Sequence, residues 1–506
     1  MNPTYVPQPD DPPTARDRWE RVRGKGTRSS LKKIQHVFER ETDSEKATRE
    51  QRLKAIRDSF LHAWNGYKEH AWGHDEVYPV SGGAKDNLGG WGATMIDSLD
   101  TMLIMGLNKE FDEALEWVKT KFDMTKDNSD DLNFFETTIR YMGGLIGAYD
   151  LSGEKVLLDK AKELGNIMLN AFKAGDFPAS RVAVDINRQR TPDRYILAEV
   201  GTFQVEFTRL SMLTGNPIYE TKARKVFDIL DSQTSEITGL FPEYVELGMK
   251  HYSNFRAHIG GMTDSYYEYL LKEWILLDGK APKYRNMFEQ SMNATGAYLV
   301  SRPSDGSKEY AIIGHTETST KDIDPIMEHL ACFMGGALAM GSVYYDRPKD
   351  MVLARQITES CYLSYHHSES GLGPENFKFH GSTGSNGKSF DSHLPGTYYE
   401  QGLSHTIYIL RPETLESLWI LYRLTGDKRY PEQAWEIFQA LERSCRTSIA
   451  YSALSNVHQS GSHSNNMESF FLAETLKYLY LMYSTPDVIS LDDFVLNTEA
   501  HPFRRT

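Results

Sequence analysis

The chain is short of cysteine, holds no long apolar run and carries no basic excess. Each shortage removes a class of function. Three of its 506 residues are cysteine, Cys332, Cys361 and Cys445. None stands in a CxxC pair, which argues against a zinc or iron–sulfur centre, and an odd count leaves room for at most one internal disulfide. No apolar run is long enough to span a bilayer. The opening stretch MNPTYVPQPDDPPTARDRWERVRGKG contains no apolar signal-peptide core. It is rich in proline and then in charge, and the region 1–46 reads as a linker or stalk. Either the protein is cytosolic or its targeting segment lies outside this sequence. Lysine and arginine number 56 against 70 aspartate and glutamate, a net charge of −14. An acidic chain without a basic stripe is a poor partner for nucleic acid.

What is present is a large globular chain. Hydrophobic residues make up 40% and aromatics 12% of it, enough to bury a core rather than stay disordered. Acids and aromatics together suit neutral polar ligands such as sugars. One sequon, Asn293-Ala-Thr295, is a glycosylation acceptor if the chain is secretory.

A repeat organises residues 47–506. Segments such as GGLIGAYDLSGEKVLLDKAKELGNIML, FTRLSMLTGNPIYETKARKVFDIL and LWILYRLTGDKRYPEQAWEIFQAL share one pattern: an apolar helix, a turn, a second amphipathic helix. The turns fall at Gly106, Gly153, Gly215, Gly279, Gly341 and Gly426, where glycine can supply a left-handed helix cap. Successive spacings from 153 are 62, 64, 62 and 85 residues. The last contains an insertion, the Gly- and Ser-rich segment at 370–402. A period just above 60 residues with two helices each predicts stacked helical hairpins. Helices near 47–66 and 467–483 would supply a further pair, join the chain ends and close a ring. The expected fold is all-α, an (αα)7 toroid forming one domain over 47–506. An open solenoid of HEAT or TPR type is the alternative, but its repeats are shorter.

The repeat also places acids. Glu136, Glu199, Asp264, Glu328 and Glu413 each lie 13 to 17 residues before a turn glycine, about one helix length. In a closed ring these positions converge at one end of the axis, where unpaired carboxylates do not serve stability. Glu136 and Arg140 are spaced as a helical ion pair. Asp264 and Glu268 share a helix face among tyrosines, although Asp264 also fits a plain N-cap. In ILRPETLESLW, Pro412 suits a helix start, with Arg411 before it and Glu413 and Glu416 on one face. Converging carboxylates beside aromatics point to glycoside hydrolysis, in which one carboxyl acts as acid and another as base or nucleophile. In the tail LDDFVLNTEAHPF, Thr498 and Glu499 offer hard oxygen ligands suited to Ca²⁺. His501 has no partner at zinc spacing, so it does not point to zinc.

These motifs resemble the class I α-1,2-mannosidases of N-glycan processing, glycoside hydrolase family 47. The resemblance runs from about residue 50 to 503. It rests on AWGHDEVYPVSG, DSLDTMLIMGL, FFETTIRYMGGLIGAYDLSG, DSYYEYLLK, LRPETLES, MESFFLAETLKYLYL and LNTEAHPF, in that order. It implies an (αα)7 barrel and Ca²⁺-dependent, inverting removal of terminal α-1,2-linked mannose from high-mannose N-glycans on glycoproteins. By that resemblance Glu136 is the general acid acting through a water, Glu413 the general base and Asp264 a third essential carboxylate. Thr498 is the direct protein ligand of Ca²⁺, and Glu416, Glu474 and Glu499 hold its water shell. Arg140, Glu268, His329, Arg411 and Phe470 meet the substrate. Cys332 and Cys361 form the family disulfide, leaving Cys445 free, and the chain belongs in the lumen of the secretory pathway or outside the cell, as a monomer. Members that remove a single mannose carry arginine two residues before the aspartate of DSYYEYL. Met262 stands there, so several mannoses are expected to be trimmed. A mannose-binding quality-control lectin on the same scaffold, with weak or no hydrolysis, is the alternative.

Overall fold

The computed structural model describes residues 29–124, 132–190, 194–303, 307–379, 397–398 and 406–505. Most of the linker and of the Gly- and Ser-rich insertion lies outside them.

Fourteen helices among the described residues form the frame. They are α1 (Asp43–His70), α2 (Leu99–Ile104), α3 (Asn108–Thr120), α4 (Gly143–Ser152), α5 (Lys155–Met168), α6 (Gln204–Thr214) and α7 (Ile218–Asp231). The second half comprises α8 (Asp264–Leu276), α9 (Pro282–Tyr298), α10 (Met334–Tyr345), α11 (Pro348–His366), α12 (Glu413–Thr425), α13 (Arg429–Ser444) and α14 (Leu476–Tyr483). The even-numbered helices are inner. Every residue of α8 after Asp264 is buried, and α10 and α12 are buried almost all round. The odd-numbered helices are outer and bury one stripe, such as Tyr219, Ala223, Val226, Phe227 and Leu230 in α7. Neighbouring inner helices pack in chain order from α2 to α14, and the segment before α14 returns against α2. Helix α1 packs on α14, so the seventh pair comes from the two ends of the chain and closes the ring.

Five of the six expected turn glycines are turns. Gly106, Gly153, Gly215, Gly279 and Gly426 all have φ between 68° and 74°, where a side chain would be strained. Gly341 is a correction. It lies inside α10, and the left-handed cap is Asp346, with φ 55°. A Cβ at Gly341 would sit 2.6 Å from the Phe288 ring of α9, so this glycine permits close helix packing rather than a turn.

The first helix starts at Asp43, not at 47. Thr42 and Glu45 form a reciprocal capping box there. Residues before it lie along the ring: Ser30 N–H donates to Asp278, Ile34 N–H to Asp492 Oδ1 at 2.7 Å, and His36 N–H to the Arg423 carbonyl.

The tail after α14 is a β-hairpin, Phe494–Leu496 paired antiparallel with Pro502–Arg504. Its base meets the C-terminal ends of inner helices, where Arg504 N–H donates to Asp150 of α4 and Arg505 donates to Tyr344 of α10. Its tip, 497–501, rises along the axis toward their N-terminal ends. Glycine makes room for it, since a Cβ on Gly143 would lie 2.6 Å from Asn497 Nδ2 and 2.7 Å from the His501 ring. No helix among the described residues is long and apolar enough to cross a membrane.

Candidate active site

The inner helices run parallel, so their N-terminal ends share one mouth, and the five acids stand there. Glu136 closes the short helix Phe134–Glu136, whose Asn133 cap accepts from Glu136 N–H. Glu199 lies in Leu197–Gly201, ahead of α6. Asp264 and Glu413 are the first residues of α8 and α12, and Glu328 ends the strand Met327–Glu328 before α10. Asp264 is not the cap; Thr263 holds that place, and Asp264 Oδ1 accepts from Ser265 N–H at 2.8 Å.

Glu413 is held on both oxygens. Its Oε2 lies 2.8 Å from His329 Nδ1 and its Oε1 3.5 Å from Arg411. A carboxylate accepts, so the ring nitrogen facing Glu413, Nδ1, carries a proton, and the Tyr365 hydroxyl lies 2.6 Å from Nε2. Arg411 is fixed by a two-pronged pair with Glu375 at 2.6 and 2.7 Å. The backbone leading in is strained: Leu410, buried, has φ 72°. Met262 and Ala500, beside Asp264 and Glu499, share that left-handed conformation.

Opposite charges gather around Arg140, which donates to Glu136 at 2.6 Å, to Glu499 at 2.5 Å and to Ser469 Oγ at 3.0 Å. Phe470 lies with its ring 5.5 Å from that guanidinium. Arg140 and Glu474 both sit on π-helical turns, Thr137–Met142 and Phe471–Thr475, a distortion frequent at functional sites.

Deeper on the axis are Glu268, Glu416, Glu474, Glu499 and Thr498. Burial, followed by the charges of Glu328, Glu268 and Glu413, pushes Asp264 up to about 7. Glu416 is likewise pushed up to about 7, mainly by burial, against the pull of Lys272. Burial and their negative neighbours raise Glu474 and Glu499 well above the usual carboxylate range. Protein cations answer this charge only partly. Lys272, buried in α8, pairs with Glu268, lies 3.4 Å from Glu416 and donates to the Asn497 carbonyl at 3.1 Å. Lys477 donates to the Ala500 carbonyl at 2.8 Å. Two buried lysines therefore hold the main chain on either side of Thr498 and Glu499. His501 is clamped between Asp100 at 2.7 Å and Asp97 at 3.0 Å. Both of its ring nitrogens are thereby engaged by carboxylates.

All the expected residues meet at this mouth or just below it. Sequence reasoning missed Asp97, Tyr365, Glu375, Lys272, Ser469 and Asn497. Lys272 carried the one usable signal, four residues after Glu268 on the same face. Glu375 lies within the insertion and carried none. Cys332 and Cys361 form a disulfide between the turn His329–Phe333 and α11, and Cys445 is buried and free.

Seven helical hairpins closed around an acid-lined axial funnel define an α/α-toroid with an active-site mouth at the inner-helix N-termini. D-mannose isomerase, at 12% identity and a TM-score of 0.51 over 74% of this chain and 97% of its own, shares the fold alone. The chain belongs to glycosyl hydrolase family 47, whose model matches residues 59–505. It is 40% identical over 465 residues to a mannosyl-oligosaccharide 1,2-alpha-mannosidase of Arabidopsis thaliana, covering 90% of this chain and 79% of that one. It is 39% identical to the endoplasmic reticulum mannosyl-oligosaccharide 1,2-alpha-mannosidase of Homo sapiens, over 89% of this chain and 64% of that one. The solved alpha-1,2-mannosidase from Trichoderma reesei superposes with a TM-score of 0.82 at 31% identity, covering 90% of this chain and 99% of that one.

Proposed function

We propose that this family 47 glycoside hydrolase removes terminal α-1,2-linked mannose from high-mannose N-glycans with inversion, taking several mannoses in turn. The observation that carries the reading is the meeting of Glu136, Asp264 and Glu413 at one mouth, each on a different inner helix entrance. Glu413 is the base: its carboxylate takes a proton from the attacking water while His329 and Arg411 fix its direction. Glu136, oriented by Arg140, passes a proton to the leaving oxygen through a water. Asp264, pushed up to about 7, is a third carboxyl beside the reacting sugar. Arg411, Phe470 and the Arg140 guanidinium present the polar and aromatic surface a mannose ring needs, with Glu268 below them.

The deeper oxygen set fits Ca²⁺. Its donors are all hard oxygens, and the buried carboxylates push one another's proton affinity up while Arg140 and Lys272 offset their charge only in part. Thr498 would hold the ion through hydroxyl and carbonyl, with Glu416, Glu474 and Glu499 around its waters. When bound, the ion would bind sugar hydroxyls and favour a distorted ring. The Cys332–Cys361 disulfide supports an oxidising secretory compartment for the chain. The lectin alternative is not favoured, because every carboxylate that hydrolysis needs is present.

The test is hydrolysis of α-1,2-mannobiose with and without EDTA, following the product anomer by NMR. β-Mannose should appear first, and EDTA should abolish turnover until Ca²⁺ is returned. α-Mannose as first product, or EDTA-resistant turnover, overturns the mechanism. Met262 presents a thioether instead of an arginine fork, so digestion of the full high-mannose glycan should proceed past one mannose. A clean stop after the first would refute that part.

A further inference from the structure

We propose that the rim of the funnel carries a separate transition-metal site, of the Zn²⁺ class, formed by His258, His315 and Glu328. One ligand atom from each residue lies within 4.8 Å of the other two. The fold brings them together from three segments. Strand Arg256–Ala257 pairs antiparallel with His315–Glu317, and the register that sets Thr316 opposite Ala257 sets His315 opposite His258. The two rings lie 4.9 Å apart, tilted by 32°. Glu328 closes the third side from its own strand, with Oε1 3.2 Å from His315 Nε2 and 3.8 Å from His258 Nδ1. Ligands about 2.0–2.1 Å from a tetrahedral ion stand roughly 3.3 Å apart, so these separations bracket what a zinc ion requires.

Two of the three ligands, His258 and Glu328, are held by neighbours outside the cluster, whereas His315 Nδ1 is buried without a partner. Gly260 N–H donates to His258 Nδ1 at 3.2 Å, which marks Nδ1 as the unprotonated nitrogen, and an ion bound there would displace that long hydrogen bond. Its Nε2 lies 3.0 Å from Glu243 Oε1 and carries the proton. That is the carboxylate–histidine arrangement by which proteins fix the tautomer and direction of a metal-ligating imidazole. Glu328 is equally confined. Its Oε2 accepts from Gly261 N–H at 2.8 Å, and a Cβ on Gly260 would sit 2.4 Å from its Cδ. Oε1 is thereby left turned toward both rings. His258 is 3% exposed, whereas His315 and Glu328 line a cavity of about 410 Å³ shared with Arg256, Asp324 and Glu375. Three protein ligands with a fourth position open to a cavity is the pattern of a zinc site that keeps a water.

The donor chemistry separates this site from the one around Thr498. Two imidazoles and one carboxylate select borderline metals over Ca²⁺, which takes oxygen. Sequence spacing could not reveal it, because the ligands are 57 and 13 residues apart and contain no cysteine. The segments it would join lead straight into the catalytic mouth: His258 is six residues before Asp264, and Glu328 immediately precedes His329. The proposal does not depend on which glycan is cleaved.

Tag-free enzyme kept in excess Ca²⁺ is titrated with ZnCl2 by calorimetry, with thermal melting as a second readout. The wild type should take up one Zn²⁺ per chain that excess Ca²⁺ does not displace, and its melting temperature should rise. Co²⁺ in its place should give the intense visible absorption of a four-coordinate ion. Glu243→Gln, at a half-buried position behind His258, should weaken zinc binding about 10- to 100-fold, and His315→Ala should weaken it at least as much. Melting in Ca²⁺ alone verifies that each variant is folded; if His315→Ala is not, Glu243→Gln decides. If hydrogen bonds alone hold Glu328 between the imidazoles, the wild type takes up no stoichiometric zinc and the proposal fails. Unchanged affinity in the folded variants overturns it too, since the ion would then sit elsewhere.

Discussion

At the scale of single residues, the site depends on how each carboxylate is held. Glu413 receives His329 on one oxygen and faces Arg411 with the other, and both of those are locked in turn by Tyr365 and Glu375. A glutamine at 413 keeps size and hydrogen-bonding reach but cannot take a proton. Glu413→Gln should therefore lower kcat by about 10²- to 10⁴-fold, the range for a general base, with an unchanged melting profile. An unaltered rate would remove Glu413 from that role. Residue identity was the most legible level of the sequence. The hairpin repeat pointed to which acids share a mouth, and the spacing of Glu136 and Arg140 foretold their 2.6 Å pair. Asp264 stayed ambiguous between acid and cap, because composition cannot say whether Thr263 or Asp264 opens the helix. Glu375 and Tyr365 were invisible for a different reason: their partners lie 36 residues away in chain and are joined only by the ring.

At the scale of elements, hairpins were readable because a left-handed turn nearly demands glycine, and five such glycines recur. The reading slipped at Gly341, where glycine answers to packing against Phe288 rather than to backbone conformation. Strand pairing three residues long gave no periodic signal, so the C-terminal hairpin read only as a non-helical tail. Its tip is held by Lys272 and Lys477, both buried. The charges of Glu268 and Glu416 outweigh the burial that would otherwise lower Lys272, keeping it protonated. Lys272→Met retains the apolar stem but leaves Glu268 and Glu416 buried without their cation and frees the Asn497 carbonyl. Breaking a buried pair of this kind costs about 3–5 kcal/mol. A clear fall in melting temperature is expected, together with weaker Ca²⁺ binding by calorimetry, since Thr498 follows Asn497. A variant that melts like the wild type and binds Ca²⁺ as tightly would show that the lysine does not anchor the tip.

At the scale of the whole molecule, the ring concentrates acids that no local rule would place together. α1 and α14 close it from opposite ends of the chain, and every inner helix delivers its first turn to the same opening. The acids of that interior hold protons that an unfolded chain would release. Asp264 and Glu416 are pushed up to about 7, and Glu474 and Glu499 are raised well above the usual carboxylate range, all first by burial. A carboxyl whose folded pKa lies above its unfolded value contributes stability below the unfolded pKa, and that contribution is lost as pH rises through the folded one. Without metal, the protein should therefore lose stability as pH climbs from about 4.5 to about 7 and beyond. A divalent cation needs the same carboxylates ionised, so its binding grows across that window and releases protons. Melting temperatures measured in EDTA and in excess Ca²⁺ should diverge with pH. The gap should be small near pH 5, wide near about pH 7.5, and accompanied by falling stability in the EDTA series. A gap of equal size at both pH values would mean that Glu416, Glu474 and Glu499 do not surround the ion, and that the axial acids are held apart by protein cations alone.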